Sequence, residues 1–238
     1  MKILYEDNHL IAVDKPAGLL VQGDSTGRDT LFEQVKAYLK ERYSKPGNVY
    51  LGLVHRLDRQ VSGVVLFAKT SKAASRLFNE FYHRRAVKLY AALAHAAPGP
   101  AANPKDWTAL TQMLARSGNT TVVTRRSDDA REASLFYRMT MRNDAYALIM
   151  VRLLTGRKHQ IRAQLSSIGF PIVGDTRYGS GETVEDGAIC LHARCLRVAH
   201  PVSGDEITII AELPERITRR IGPAAATAPF LDEIPTLI

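Results

Sequence analysis

Short apolar runs broken by polar turns dominate this chain, and longer stretches with helical spacing are few. Ile3-Leu4-Tyr5 and Leu10-Ile11-Ala12-Val13, separated by Glu6-Asp7-Asn8, read as two strands joined by a tight loop. Asp14-Lys15-Pro16-Ala17-Gly18 ends the second strand with two breakers. From Thr30 to Tyr43 the apolar positions Leu31, Val35, Tyr38 and Leu39 share one stripe, which predicts an amphipathic helix. Two buried strands, Tyr50–Val54 and Val64–Ala68, flank a polar loop. A helix follows from Ser71, its expected N-cap, to about Arg85, with Ala74, Leu77, Phe78 and Phe81 as its apolar face. Leu89–Ala94 reads as another strand.

Residues 97–107 are rich in Ala, Pro and Gly and read as a linker. Strands are expected at Thr120–Thr124, Ala133–Met141 and Tyr146–Leu154, with Ser127-Asp128-Asp129 turning between the first two. A turn at Thr155-Gly156-Arg157 leads into a short helix, Lys158–Ile168. Cys190–Ala199 and Ile207–Glu212 close the pattern as an antiparallel pair around Pro201-Val202-Ser203-Gly204. Hairpins outnumber helices and regular strand–helix alternation is missing. The expected class is therefore α+β, a mostly antiparallel mixed sheet flanked by a few helices. One domain of two abutting subdomains is expected over 1–222, with the junction near 95–118. The Ala- and Pro-rich tail, 223–238, is expected to be loosely ordered.

Composition is that of an ordinary globular protein: 238 residues, 45% hydrophobic and 24% charged. No apolar run approaches the roughly 20 residues of a membrane-spanning helix. The first seven residues include Glu6 and Asp7 and lack a signal-peptide layout, so a cytoplasmic protein with no membrane partner is expected. Cys190 and Cys195 are five apart in one strand, point to opposite faces, and are expected to stay reduced.

Charge placement says more than the net +8. Residues 1–55 balance, whereas 56–88 carry eight basic side chains against Asp58 and Glu80. Residues 152–162 add Arg152, Arg157, Lys158 and Arg162 with no acid. Two concentrated basic segments suit a polyanion such as nucleic acid, although a solvated basic face would look the same.

The first basic segment opens with the loop between the two buried strands. Val54-His55-Arg56-Leu57-Asp58-Arg59-Gln60-Val61-Ser62-Gly63 holds one carboxylate, Asp58, between two arginines. Neighbouring cations favour the ionised form of a carboxylate, and an ionised Asp can serve as nucleophile or base. A strand-connecting turn with a surface ion pair would carry the same residues. The second segment, Leu153 to Arg162, turns out of a strand and opens a helix with basic side chains. A helix N-terminus already favours anions, and His159 and Arg162 share a face.

His-Arg-Leu-Asp-Arg at 55–59, then Ser62-Gly63, an apolar strand and Ala68-Lys69, resembles the catalytic motif of the RluA-type pseudouridine synthases. Those enzymes convert chosen uridines in RNA to pseudouridine. Further pieces resemble the family in the same order along about 3–213. They are Leu10–Gly18, Lys88-Leu89-Tyr90-Ala91-Ala92-Leu93, Thr155-Gly156-Arg157-Lys158-His159-Gln160-Ile161-Arg162, Ile172-Val173-Gly174-Asp175, Tyr178-Gly179 and Leu191-His192-Ala193. The resemblance implies the pseudouridine synthase fold with a central basic cleft.

It also implies roles for individual residues. Asp58 is the catalytic aspartate. Tyr90 stacks on the target base, Arg162 pairs with the aspartate, Arg56 fills the gap left by a flipped base, and Leu191 packs on the other side of the pocket. His55 and Arg157, inside the matched motifs, join the expected substrate-binding set. The implied partner is ribosomal or transfer RNA, with no obligatory protein partner and a monomer as the default. Isomerisation leaves the redox state unchanged, so no organic cofactor is expected. The scattered histidines predict no metal site.

Val61 stands where the family most often has Thr, which removes a hydroxyl from the loop. The small N-terminal RNA-binding domain of many relatives is not expected, because the first catalytic strand begins at Ile3. Two other functions remain in view: a non-catalytic RNA-binding protein on the same fold, and a carboxylate-dependent hydrolase of nucleosides or sugars. The hydrolase would need a second carboxylate flanking the scissile bond, and neither the Asp58 loop nor the segment from Leu153 to Arg162 supplies one.

Overall fold

The computed structural model describes residues 1–23, 29–44, 46–96, 106–124, 128–226 and 234–235. The elements in chain order are β1 (Lys2–Glu6), β2 (Leu10–Lys15), α1 (Leu31–Arg42), β3 (Gly52–Leu53), β4 (Ser62–Ala68), α2 (Ser71–Tyr82), β5 (Val87–His95) and β6 (Thr108–Ser117). They continue with β7 (Thr120–Val123), β8 (Arg131–Arg142), β9 (Tyr146–Leu153), α3 (Gln160–Ser167), β10 (Leu191–Ala199), β11 (Glu206–Ile210) and α4 (Glu215–Ile221). The class is α+β with mostly antiparallel strands, as the hairpin pattern predicts.

The chain divides into two compact units, Met1–Val87 with Cys195–Ala211, and Lys88–Arg194 with Glu212–Ile238. The chain thus changes unit at the start of β5, and the expected junction near 95–118 lies inside the second unit. Part of that stretch, Thr108–Ser117, is a ten-residue strand paired with β8. Its alternation of small, polar and apolar residues buries only Leu114 and Ala115, so it carries little apolar signal. The linker expected at 97–107 falls mainly outside the described residues, as do Ser127 of the expected turn and most of the tail. Pro223–Ala226, the described start of the tail, forms a short 3-10 turn with Ala225 buried.

In the first unit, β2 pairs with β1 and β4 in antiparallel register, and Ala12 faces Leu66. Every residue of β4 is buried, so its two alternating sets both meet protein. Val64, Leu66 and Ala68 join Leu10, Ala12, Leu196, Val198 and Ile209, and Ala73 and Leu77 of α2 pack on them. On the other face Phe67 meets Phe32 of α1 edge-on, with ring centroids 6.2 Å apart. A buried Leu or Phe of this kind contributes about 1.5–3 kcal/mol. Thr70, one residue before the expected Ser71, caps α2 by accepting the N–H of Ala73 at 3.2 Å. Thr30 caps α1 in the same way through Glu33.

The β1–β2 turn is organised by Asp7. Its carboxylate accepts the N–H groups of His9 and Leu10 at 2.7 Å, the Tyr5 hydroxyl at 2.8 Å and the His200 Nε2 at 2.8 Å. Burial pushes this carboxyl up, but those four donors outweigh it and hold it below its ordinary value. A depressed native pKa stabilises the fold above the unfolded pKa and loses that contribution as pH falls through the native one. The melting-temperature gap between wild type and Asp7→Ala is therefore expected to be full at neutral pH and to shrink below about pH 4. A gap constant from pH 7 to pH 3 would contradict this account.

In the second unit β5, β9, β8, β6 and β7 lie side by side, each pair antiparallel. Helix α3 begins at Gln160, two residues later than the helical spacing predicts, because His159 adopts a left-handed conformation with φ 53°. Helix α4 follows Pro214, and no sequence expectation covers it. Arg220 on α4 pairs with Glu182 at 2.8 Å, and Glu182 also accepts the Tyr146 hydroxyl at 3.0 Å.

Candidate functional site

Asp58 sits half-buried on the loop between β3 and β4. The loop tightens immediately after it, where the N–H of Val61 donates to the carbonyl of Asp58 at 3.0 Å. Gly63 then enters β4 with φ 114°, a conformation that requires glycine, and pairs in register with Lys15. The fully buried Lys15 ammonium donates to the carbonyls of Pro16 at 2.9 Å, Leu19 at 2.8 Å and Arg59 at 3.2 Å. The Arg59 carbonyl also accepts the N–H of Gly18 at 2.8 Å. Lysine is rarely this buried unless it is satisfied. Here its head ties the end of β2 to the residue next to Asp58.

Sequence reasoning assigns Lys15 no role. Its signal is faint, a single cation between an apolar strand and Pro16. Lys15→Met keeps the stem and strands three carbonyls. It is expected to cost about 3 kcal/mol and to lower kcat while leaving KM nearly unchanged, readable in urea melts and steady-state kinetics. A normal kcat in a folded Lys15→Met protein would remove Lys15 from the loop's support.

The other residues of the first motif divide. Arg56 and Arg59 are exposed. His55, expected to touch substrate, spends its ring on the fold. Its Nε2 accepts the N–H of Leu66 at 2.9 Å, and its face stacks on Phe81 of α2 at 4.9 Å and 18°. An accepting Nε2 places the proton of a neutral ring on Nδ1. His55 thus braces the loop from strand and helix together. Val61 is buried, so the loop packs an apolar side chain at this position.

In the second unit the strand-to-helix turn is fastened to β8. The Thr155 hydroxyl donates to Gln160 Oε1 at 2.8 Å and accepts the N–H of Ser134 at 2.9 Å. Gln160 also accepts the N–H of Arg157 at 3.0 Å and donates to the carbonyl of Ser134 at 3.1 Å. Arg157 is exposed, and its Nε reaches the carbonyl of Glu132 at 3.2 Å. Arg157 and Lys158 precede α3 rather than open it, so the expected basic first turn of the helix is instead a basic loop.

Arg162 is buried and held on two sides. Asp175 receives its Nε and one terminal nitrogen at 2.6 and 2.7 Å, a bidentate pair with both side chains 2% exposed or less. The guanidinium also lies over the Tyr178 ring, 4.9 Å from its centroid. Tyr178 is fixed in turn. Its hydroxyl accepts the N–H of Thr121 at 2.8 Å and lies 2.9 Å from His159 Nδ1. Burial pushes the Tyr178 phenol up, which keeps it protonated. A planar fork held this way can present a fixed cation without rotamer loss at the moment of reaction.

Asp175 is the second residue missed by sequence reasoning. Nothing periodic links it to a position thirteen earlier. The local clue is Gly174, at φ 87°, where an added Cβ would come within 2.7 Å of the Ala188 carbonyl and 2.8 Å of Val184. Tyr90 lies on β5 opposite Val151 and is 8% exposed. Leu191 opens β10 and is buried, and the residue before it accepts the N–H of Leu93. The structure thus groups His55, Arg56 and Asp58 with Lys15 and Phe81 in one unit. The other unit holds Tyr90, Arg157, Arg162 and Leu191, with Asp175 and Tyr178 behind Arg162.

Comparison with known proteins agrees with these motifs. Residues 9–167 match the family model described as RNA pseudouridylate synthase. The chain is 33% identical to the ribosomal large subunit pseudouridine synthase D of Xanthomonas campestris, over 92% of this chain and 68% of that protein. It is 32% identical to the ribosomal large subunit pseudouridine synthase C of Rickettsia prowazekii, over 92% of this chain and 70% of that one. Human RNA pseudouridylate synthase domain containing 4 shares the fold, with a TM-score of 0.74 at 24% identity over 91% of this chain and 90% of that chain. The match spans the Asp58 loop and the Arg162 helix alike, and the chain belongs to the RNA pseudouridine synthase family, enzymes that isomerise uridine in RNA to pseudouridine.

Proposed function

We propose that this synthase modifies uridines of large-subunit ribosomal RNA, in the cytoplasm, as a monomer without an obligatory protein partner. The observation that carries the choice of RNA is the match, over about nine-tenths of the chain, to synthases named for the large ribosomal subunit. The basic segments 56–88 and 152–162 suit any structured RNA and support the reading without deciding it.

The reaction breaks the bond between N1 and C1′, turns the uracil, and joins C5 to C1′. C5 loses its hydrogen and N1 gains one. No electrons are exchanged, so the chemistry needs no redox cofactor. A stacked base is out of reach, so the nucleotide must leave the helix and be held by stacking and edge contacts. Tyr90 supplies the ring and Leu191 the apolar packing. The exposed guanidinium of Arg56 suits the gap left in the RNA. Asp58 either attacks C1′ or removes the C2′ proton, and Arg162 is the fixed cation of the site.

The deciding experiment treats ribosomal and transfer RNA fractions from a strain lacking the gene with the purified protein and maps pseudouridine at nucleotide resolution. Sites missing from large-subunit RNA of that strain are expected to be restored. Restoration confined to transfer RNA would overturn the choice of RNA. No new pseudouridine in either fraction would overturn the catalytic reading.

A further inference from the structure

We propose that the solvent face of α2 around Phe78 and Tyr82 is an RNA-docking platform, on which unpaired bases flanking the reacting nucleotide stack. The inference rests on RNA being the substrate. Phe78 and Tyr82 are 58% and 70% exposed, although α2 is already seated by Ala73, Leu77 and Phe81. At four residues apart they share one helix face, and their rings stack on each other at 5.9 Å and 20°. His83 meets Tyr82 edge-on at 5.1 Å. The result is a run of ring surface facing water on a helix whose packing does not use it.

The C-terminus of α2 adds a second, independent oddity. The N–H of Arg84 returns to the Phe81 carbonyl at 3.2 Å, and that of Arg85 to Glu80 at 2.9 Å. This is the helix ending in which glycine normally occupies the left-handed position. Here Arg84 occupies it, at φ 59°, against the steric preference of an L-residue. A cation therefore stands at this end of the ring stack where the backbone favours glycine.

Charge selects the occupant. Glu80, the one acid in α2, is paired with Arg85 at 2.7 Å. Lys72 and Arg84 are exposed and make no side-chain bond among the described residues. Apolar rings on a helix with an exposed cation in its first turn and another just past its end fit a ligand with flat faces and a negative backbone, which is single-stranded nucleic acid. A second copy fits poorly, because a two-fold contact sets each patch against itself and brings like charges together. The platform is also tied to the chemistry. Phe81, on the inner side of the same helix, carries the stacked ring of His55 from the Asp58 loop. RNA held on α2 is therefore held by the element that braces that loop.

The test uses in vitro transcribed large-subunit ribosomal RNA with tritium at uracil C5, and reads Kd, KM, kcat and oligomeric state. Replacing both rings (Phe78→Ser with Tyr82→Ser) is expected to raise Kd and KM at least about tenfold and leave kcat at saturating RNA unchanged. Tyr82→Trp is expected to keep wild-type affinity and to show fluorescence quenching on RNA addition, whereas Tyr82→Leu weakens binding. Arg84→Gly is expected to reduce the salt dependence of binding by about one counterion while the melting temperature holds or rises. Equal Kd and KM in wild type and the doubly substituted protein would overturn the platform. So would a drop in sedimentation coefficient of that variant with RNA binding unmoved, which would give the face to a second copy. If wild type itself neither binds nor modifies the RNA, the failure lies with the proposed function and not with α2.

Discussion

Asp58→Asn is expected to abolish tritium release from C5-labelled RNA, with kcat falling at least about 10⁴-fold, while RNA affinity stays within about twofold. The substitution conserves shape and removes the negative charge. One closure of the turn does not involve that charge, the bond from the N–H of Val61 to the backbone carbonyl of Asp58. Lys15, His55 and Gly63 hold the flanks through groups the substitution leaves alone. Both routes open to Asp58, attack at C1′ or proton removal at C2′, need an electron pair that an amide does not offer. On the proposed reading RNA is held by the basic segments, where one lost negative charge is expected to weaken nothing. Residual turnover above about 1% would show that Asp58 is not the reacting group. A parallel loss of RNA affinity would show that it helps to hold the substrate.

Asp58 is legible because it is a short-range feature. One loop, two bracketing apolar runs and a motif of consecutive residues announce it. Strand β4 is legible for the same reason, since Val64–Ala68 is an unbroken apolar run, whereas the buried strand expected at Tyr50–Val54 is only the two-residue β3, with Tyr50 exposed. What supports Asp58 is long-range. Lys15 reaches across 44 positions to Arg59, and Phe81 lies 26 residues beyond the His55 ring that it carries. No spacing rule joins such pairs. Strand β6 was illegible for another cause. It buries only two residues of ten, so tertiary pairing with β8 overrides its weak pattern. The late start of α3 belongs to the same class, since the left-handed His159 is stabilised by Tyr178, nineteen residues further on.

Arg162 shows this division most sharply, and Asp175→Ala tests it. The motif that contains Arg162 is local, but the bidentate partner that fixes it lies on another segment and is almost inaccessible to solvent. Removing that partner leaves a buried guanidinium without its carboxylate, a change that costs about 3–5 kcal/mol. For a chain of this size it should lower the melting temperature by about 10 °C. Asp175→Asn, which retains the volume and one acceptor, should lose less stability. It is still expected to lower kcat at temperatures well below its melting point, because a single acceptor no longer fixes the plane of the fork. Stability and positioning are then separated by replacing both partners, Arg162→Met with Asp175→Leu. Apolar side chains of similar volume often restore what a broken buried pair loses, so the melting temperature should recover. Activity should not, since the fixed cation has gone. Recovered turnover in that doubly substituted protein would make the pair a piece of core architecture. Recovered stability with turnover still lost would place Arg162 in the chemistry and Asp175 behind it as its positioning residue.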